Sequence, residues 1–505
     1  MATGRLKQLT SRPWDARVQF RSDRSGKVFA YRPNQVITTP AALDRIRLRT
    51  GGRELVYEPV VPERDGELDL VLVRGIADPI GTAAELRAAG FSARPNHVFF
   101  AHPTALPNPT ALPNPTAFPN PTAMPNPTAL PNPTALPNPT ALPNPTAMPN
   151  PTALPNPGGV GVGGCCDAPC GPWTAQLVAP RFSTARPALM PGADAYSYRK
   201  ANGAACKVLV VDTGVFKKIA PNSTDLGPAA LAAQAVLQDV NGSSDEDLWD
   251  DDANKVLDPF AGHGTFIAGI FANLAPGADV TCERGLTSFG DTDDVLIART
   301  LEERFAEAGE EPYDIVSLSF GGFCEDDDPP IALARTIASI QARHRDPVNA
   351  DESADLIRER VVFVASAGND ASCRPTWPAA FENVIAVGAL GPHGPAPFTN
   401  HGPWVDACAP GVDVVSTFFD LTDEAGYDGE DFDGWASWSG TSFAAPVVAA
   451  SIAWEWMCRG GRDHLSEAPD HSGTASGRPG HAAAWLLDRP GHFRYPWLGT
   501  VVNPH

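Results

Sequence analysis

No apolar run in this sequence is long enough to cross a bilayer. The longest, Phe443–Met457, is interrupted by Pro446 and Glu455, short of the roughly 20 residues a spanning helix needs. It reads as a buried core helix, and no membrane partner is expected. Basic residues are scarce as well: 38 Lys and Arg stand against 59 Asp and Glu, a formal net charge of −21. A nucleic-acid binder normally carries a basic patch, so no nucleic-acid partner is expected. The early positive charge of MATGRLKQLTSRPWDARVQF is not followed by an apolar segment, so no secretory signal is visible. The expectation is a cytoplasmic protein, with non-classical export left open. Metal-binding patterns are thin too. Nine Cys, an odd number, leave at least one thiol unpaired in a monomer. Cys165, Cys166 and Cys170 cluster in a Gly-rich stretch, but no histidine or second pair accompanies them. The six scattered Cys read as small buried apolar residues.

What the chain has in abundance is proline, 52 residues of it. Residues 103–156 are nine tandem copies of a six-residue unit, mostly PTALPN, with Phe118, Met124 and Met148 in place of Leu. Two prolines in every six remove backbone donors and block helix and central strand. The repeat therefore reads as a semi-rigid tether, residues 103–157, which fully extended would reach roughly 170 Å. Acting as a ligand for a proline-recognising module is the alternative.

The tether separates two globular parts. Residues 1–102 alternate strand-like runs (28–31, 54–60, 68–73) with a helical stretch, 82–89, that ends at Gly90. They suit a small α+β domain, one sheet covered by helices. A Gly/Cys/Pro-rich connector, 158–199, leads to a larger region, 200–460, and then a C-terminal extension, 461–505. In the larger region CKVLVVDTG, EPYDIVSLSFGG, RVVFVASAGN and NVIAVGAL are β-branched runs separated by helical candidates at 262–272, 294–308 and 331–343. Alternating strands and helices predict a parallel α/β sheet with both faces covered. In such sheets, functional groups gather at the carboxyl ends of the strands.

Three motifs fall there. Asp212 ends VLVVD; taken alone, a strand-end Asp is commonly a cap or turn residue. His263 stands between Gly262 and Gly264 at the start of an apolar helix, and a lone His is commonly structural. Ser442, in WSGTSFAAP, opens a helix and has an ordinary reading as an N-cap. Small neighbours there also let a substrate backbone approach, and a helix N-terminus supplies N–H groups and partial positive charge where an oxyanion forms. The order Asp, His, Ser with these glycines separates the set from the chymotrypsin and α/β-hydrolase orders.

Residues 200–458 resemble the subtilase catalytic domain, a subtilisin-like parallel sheet flanked by helices. The resemblance implies a serine endopeptidase acting on polypeptides through Asp212, His263 and Ser442, with Asn369 of ASAGND as the oxyanion-hole side chain. It also implies that Ser319, Phe320 and Gly321 form one wall of the substrate pocket, and Ser366, Ala367 and Gly368 the other. Ser288–Gly290 would be the edge strand against which an extended substrate pairs. Pro410 and Gly411 fit a turn near the site, Cys408 a buried thiol before it, and Cys324 and Cys373 a conceivable disulfide. RPNHVFF (94–100) resembles the closing segment of subtilase propeptides, so the N-terminal domain is expected to cover the enzyme or aid its folding. No cofactor is assigned. Structural calcium is common in the family, but no acidic spacing is specific enough to place it.

Acidic runs at 243–252, 324–330 and 423–434, with Asp291, Asp293 and Asp294, read first as solvated loops. If they line the cleft, they favour substrates with basic residues near the scissile bond. Other classes fit less well. Carboxyl-type serine peptidases on a related fold replace the His with Glu, against the GHGT at 262–265. A non-catalytic relative would lack a member of the constellation, and all four residues are present. A scaffolding role for the repeats is compatible with catalysis.

Overall fold

The computed structural model describes residues 17–51, 54–62, 69–101, 181–182, 206–216, 228–237, 240–242, 247–309, 312–344, 360–421, 427, 432–458, 479–488 and 492–503. The PTALPN tether, the Cys165/Cys166/Cys170 cluster and nearly all of the connector lie outside these residues.

The N-terminal unit runs β1 (Gln19–Ser22), β2 (Val28–Thr38), α1 (Leu43–Arg49), β3 (Val56–Pro59), β4 (Val71–Arg74), α2 (Pro79–Ala88) and β5 (Ala93–Ala101). Helix α2 begins where Pro79 follows Asp78, whose carboxylate accepts the Gly81 N–H, so both a proline at the first position and an acidic cap favour its start. It starts three residues before the stretch predicted from 82, because the cap lies outside the apolar pattern. Strand β2 is longer than expected, reaching Thr38 through the Arg-Pro-Asn stretch.

One face of this sheet is covered by its own helices, with Val36, Val71 and Val73 packed on Ala42, Ile46, Ala83 and Leu86. The other face is not solvent. Ile37, Leu70 and Leu72 pack against Val295, Ala298 and Ala332 of the larger region. Alternate strand residues point to opposite faces, and in this sheet both sets are apolar and buried.

The larger region comprises β6 (Arg181–Phe182), β7 (Lys207–Asp212), α3 (Pro228–Leu237), β8 (Val240–Gly242), α4 (His263–Leu274), β9 (Asp279–Arg284), β10 (Asp291–Asp293), α5 (Asp294–Ala308), β11 (Ile315–Leu318), β12 (Phe320–Gly321), α6 (Ile331–His344) and β13 (Val362–Ser366). There follow β14 (Val384–Gly391), β15 (Gly394–Pro395), β16 (Ala407–Pro410), β17 (Val414–Asp420), β18 (Asp433–Trp438), α7 (Thr441–Cys458), α8 (Pro479–Asp488), β19 (Arg494–Tyr495) and β20 (Gly499–Val501). The main sheet has the order β19-β20-β16-β14-β13-β11-β7-β9-β8, with β15 beside β14. All its pairs from β8 to β20 are parallel.

The α/β architecture expected from the alternation is therefore present. Val208 and Val210 face a core built with α4, α7 and α8, while Leu209 and Val211 face one built with α5 and α6. The predicted helix at 294–308 matches α5 residue for residue, since Asp293 caps it by accepting the Leu296 N–H. Among the described residues, no helix is long and apolar enough to cross a membrane; the apolar run 443–457 lies within α7, buried in the larger core.

Candidate functional site

Strand β7 is an apolar run buried on both faces, and its last residue carries a carboxylate into the interior. Asp212 and His263 are both fully buried. His263 Nδ1 donates to Asp212 Oδ1 at 2.7 Å, and the same oxygen accepts the Thr213 N–H at 2.8 Å. That contact sets the imidazole tautomer and leaves Nε2 as the acceptor, without a hydrogen-bonding partner among the described residues. The ring is wedged between Phe443 and Trp438, with centroids 5.3 and 5.6 Å away.

Why His263 sits so close to Asp212 follows from the glycine behind it. A Cβ at Gly264 would lie 2.1 Å from the Gly214 carbonyl oxygen, so only glycine lets the first turn of α4 approach the end of β7. The helix has no side-chain cap of its own at Gly262. Asp247 supplies the acceptor instead, taking the Gly262 N–H, the Thr265 N–H and the Thr265 hydroxyl. Burial pushes the Asp247 carboxyl up to about 7. Sequence reasoning missed this residue, because it lies in an acidic run that reads as a solvated loop.

Ser442 is the second residue of α7 and is fully buried. Pro446, four residues on, has no N–H to give the Ser442 carbonyl, as a helix otherwise would. Ser319 Oγ fills that gap at 2.9 Å, while Ser442 Oγ donates to the Ser319 carbonyl at 3.0 Å. The hydroxyl is thus turned toward β12 rather than toward His263. Asn369 follows β13, and its Oδ1 accepts both the Thr441 N–H (3.0 Å) and the Thr441 hydroxyl (2.9 Å). With the oxygen committed, the amide can act elsewhere only as a donor. Thr441 Oγ1 also accepts the Gly368 N–H at 3.0 Å, so Gly368 and Asn369 are fixed to the start of α7. Gly411 lies against the same turn, with the Gly440 N–H donating to its carbonyl.

The structure thus brings Asp212, His263, Ser442, Asn369, Ser319, Phe320, Ser366, Ala367 and Gly368 to the carboxyl ends of β7, β11 and β13. Phe320 and Gly321 form β12, and a strand lies beside them: β5 of the N-terminal unit pairs antiparallel with both β12 and β10. Phe320 stands opposite Ala101 and Gly321 opposite Phe100, while Asp291, Thr292 and Asp293 stand opposite Phe100, Phe99 and Val98. The edge strand expected at 288–290 is displaced. Gly290 contributes only its carbonyl, which accepts the Ala101 N–H at 2.8 Å, and the pairing continues along 291–293. Ser288 is instead turned to Asp258, and Phe289 packs on Val98 and Phe100.

The acidic residues around this strand are not simply solvated. Arg32 donates to Asp291 and Asp293 at 2.9 and 2.8 Å, and Arg94 to Asp328 at 2.6 Å. Lys27 pairs with Asp327, and Arg87 with Glu325 at 2.9 Å. Arg374 on the larger region returns the pattern, reaching the Val28 carbonyl at 3.0 Å. His97 of β5 is fully buried and accepts the Glu325 N–H at 3.2 Å; burial, with Arg94 and Arg87 nearby, lowers its pKa to about 3.

The disulfide that was conceivable between Cys324 and Cys373 is not formed. Cys324 is buried in the core shared with α6, whereas Cys373 lies partly exposed in the loop after Asn369. Cys408 is the buried thiol expected, its pKa raised to about 12 by burial. Asp250, Asp252 and Asp258 bring carboxylate oxygens within 4.8 Å of one another. Such an all-oxygen set suits a hard cation, and the charges of Asp252 and Asp250 add to burial in raising Asp258 to about 7.

A family model described as "Subtilase family" matches residues 203–457, about half of the chain. The chain belongs to the subtilase family. Among curated subtilases it is 30% identical over 203 residues to a thermophilic serine proteinase of Bacillus sp. (strain AK1), covering 38% of this chain and 41% of that protein. It is 28% identical over 266 residues to subtilisin Savinase of Lederbergia lenta, covering 50% and 77%. The chain therefore spans less than half of the first relative and about three quarters of the second. Of solved structures, the prenylagaramide maturation protease PagA shares 19% identity at a TM-score of 0.41, covering 62% of this chain and 96% of that one.

Proposed function

We propose that this subtilase is a serine endopeptidase, with Ser442 as nucleophile, His263 as general base and then acid, Asp212 as its orienting carboxylate and Asn369 as an oxyanion donor. The observation that carries the reading is the short Asp212–His263 hydrogen bond, which leaves the imidazole's Nε2 without a partner among the described residues while Phe443, next to Ser442 on α7, packs against the ring. For reaction, Ser442 Oγ leaves the Ser319 carbonyl and gives its proton to His263 Nε2 as it attacks the scissile carbonyl. The oxyanion is met by the Asn369 amide and the Ser442 N–H at the start of α7, where the helix dipole also favours negative charge. His263 then protonates the leaving amine, and water repeats the sequence on the acyl-enzyme.

We further propose that the N-terminal domain holds the enzyme latent. Strand β5 occupies the position of an extended substrate, the β-augmentation mode of peptide recognition, and continuing its register past Ala101 leads toward Ser319 and hence Ser442. The carboxylates that grip Arg32, Lys27 and Arg94 support a preference for basic residues in substrates and in the domain alike.

The test is labelling of the full-length protein by a fluorophosphonate. Labelling of wild type that disappears in Ser442→Ala, and that quickens when high salt weakens the interdomain ion pairs, is expected. Folded wild-type protein that stays unlabelled at all salt concentrations would exclude the peptidase reading.

A further inference from the structure

The loop that carries Asn369 is held from two sides. Thr441 grips it from the nucleophile's side. On the far side stands a residue that no motif singled out, Asn400, which is fully buried. Its Nδ2 donates to the Ala367 carbonyl at 2.9 Å, to Thr376 Oγ1 at 3.0 Å and, at 3.3 Å, to Asp370 Oδ2. Its Oδ1 accepts the N–H groups of Asp370 at 2.8 Å and Ser372 at 3.0 Å. Its backbone N–H donates to the Gly368 carbonyl at 2.8 Å.

Every one of these partners lies between residues 367 and 376, so the polar groups flanking Asn369 on both sides converge on a single side chain. Gly368 has φ +105°, and a Cβ there would lie 2.3 Å from Asn400 Nδ2. The amide therefore sits directly against the backbone of the turn, in a space only glycine leaves open.

We propose that Asn400 is a positioning residue for the oxyanion side of the site, acting through Asn369. The proposal rests on the peptidase reading above. The physical reason is the directionality of the amide: a donor end and an acceptor end, both used, specify where the 367–372 backbone runs and hence where Asn369 projects. An aspartate has the same shape but no donor, so it would set negative charge against the Ala367 carbonyl and the Asp370 carboxylate. An alanine would leave the Ala367 carbonyl and two N–H groups buried without these partners. Either change lets the turn relax, and a misplacement of about 1 Å at a catalytic group costs on the order of 10²-fold in rate.

The experiment compares kcat and KM for a chromogenic peptide anilide in full-length wild type, Asn400→Ala, Asn400→Asp, Asn369→Ala and the Asn400→Ala/Asn369→Ala double variant. All carry the same N-terminal domain, and each is compared again in the Arg32→Ala background, so that a change in docking through Arg374, which reaches the Val28 carbonyl, is separated from a change in kcat. The expected result is a fall in kcat of about 10- to 100-fold in both Asn400 variants with KM within about twofold, and about 10²–10³-fold in Asn369→Ala. If Asn400 acts through Asn369, the double variant loses less than about threefold beyond Asn369→Ala alone, whereas independent effects would multiply. A kcat within about twofold of wild type in Asn400→Ala, or multiplying losses, overturns the proposal.

Should Asn400→Ala not fold, Thr376→Val removes one acceptor of the Asn400 amide at nearly constant volume. It is expected to lower kcat several-fold with the same non-additivity, and an unchanged kcat would again overturn the role. Absence of turnover in wild type and in Arg32→Ala alike, at low and at high salt, sinks the peptidase reading and this one together; turnover indifferent to Asn400 sinks only this one.

Discussion

Arg32 is the place to test latency, because it is a mostly buried cation of the N-terminal unit that pairs with two carboxylates of the larger region. Its side chain is 11% exposed, that of Asp291 is 0% and that of Asp293 14%. Burial alone would weaken its charged form, but Asp293 and Asp291 together raise its pKa. In Arg32→Ala the domain can dock only by leaving two carboxylates without this cation, one of them completely enclosed, whereas in the released state both meet water.

Removing one partner of a buried pair costs about 3–5 kcal/mol, or roughly 140- to 3,700-fold in the docking equilibrium at 1.4 kcal/mol per tenfold. Exposed pairs are worth about 0–1 kcal/mol, so Arg47→Ala, which disturbs only the surface pair with Asp44 inside α1, is the control. The assay is the initial rate of peptide hydrolysis by the full-length proteins at low and high salt. Arg32→Ala is expected to be far more active than wild type at low salt, with the gap narrowing as salt rises, and Arg47→Ala to match wild type. Equal rates for wild type and Arg32→Ala would refute the idea that this domain limits access to Ser442.

Two further expectations concern pH and backbone fit. His97 has a docked pKa of about 3 against an ordinary 6.5, so the docked state binds fewer protons and docking weakens as pH falls below 6.5. At pH 5 this amounts to at most about 30-fold; wild-type labelling by fluorophosphonate, corrected for the intrinsic pH dependence seen in Arg32→Ala, should rise on acidification, and a corrected rate that falls counts against His97 being charged only on release. In Gly264→Ala the added Cβ meets the Gly214 carbonyl, displacing α4 from the end of β7. Turnover should drop by about 10²-fold or more for a shift near 1 Å while the protein remains folded by circular dichroism; unchanged turnover would show that the Asp212–His263 contact tolerates the shift.

Much of the site was legible as a linear pattern because its parts are tied to local backbone rules. Asp212 ends an apolar β-branched run, His263 and Ser442 open helices, and glycines mark the tight approaches. These are properties of a few consecutive residues, as is the alternation of strands and helices behind the parallel sheet. The acidic runs were not legible in the same way. Asp247 and Asp291 are fully buried yet stand in segments whose charge density reads as solvent-exposed, since burial of a carboxylate depends on partners 15 or more residues away.

By itself, then, the sequence determined the fold class and marked the residues proposed to react, and it set a proline-rich repeat between the N-terminal unit and the larger region. Tertiary structure decided which residues meet across that separation. Strand β5 reads in sequence as the last strand of a small domain, and only the fold pairs it with β10 and β12 of the larger region. Arg32 is 259 residues from Asp291 and Asn400 is 24 to 33 from the groups its side chain holds near Asn369. Hydrogen bonds and ion pairs form between whatever groups the packed layers bring within about 3 Å, and no local pattern of residues encodes that meeting.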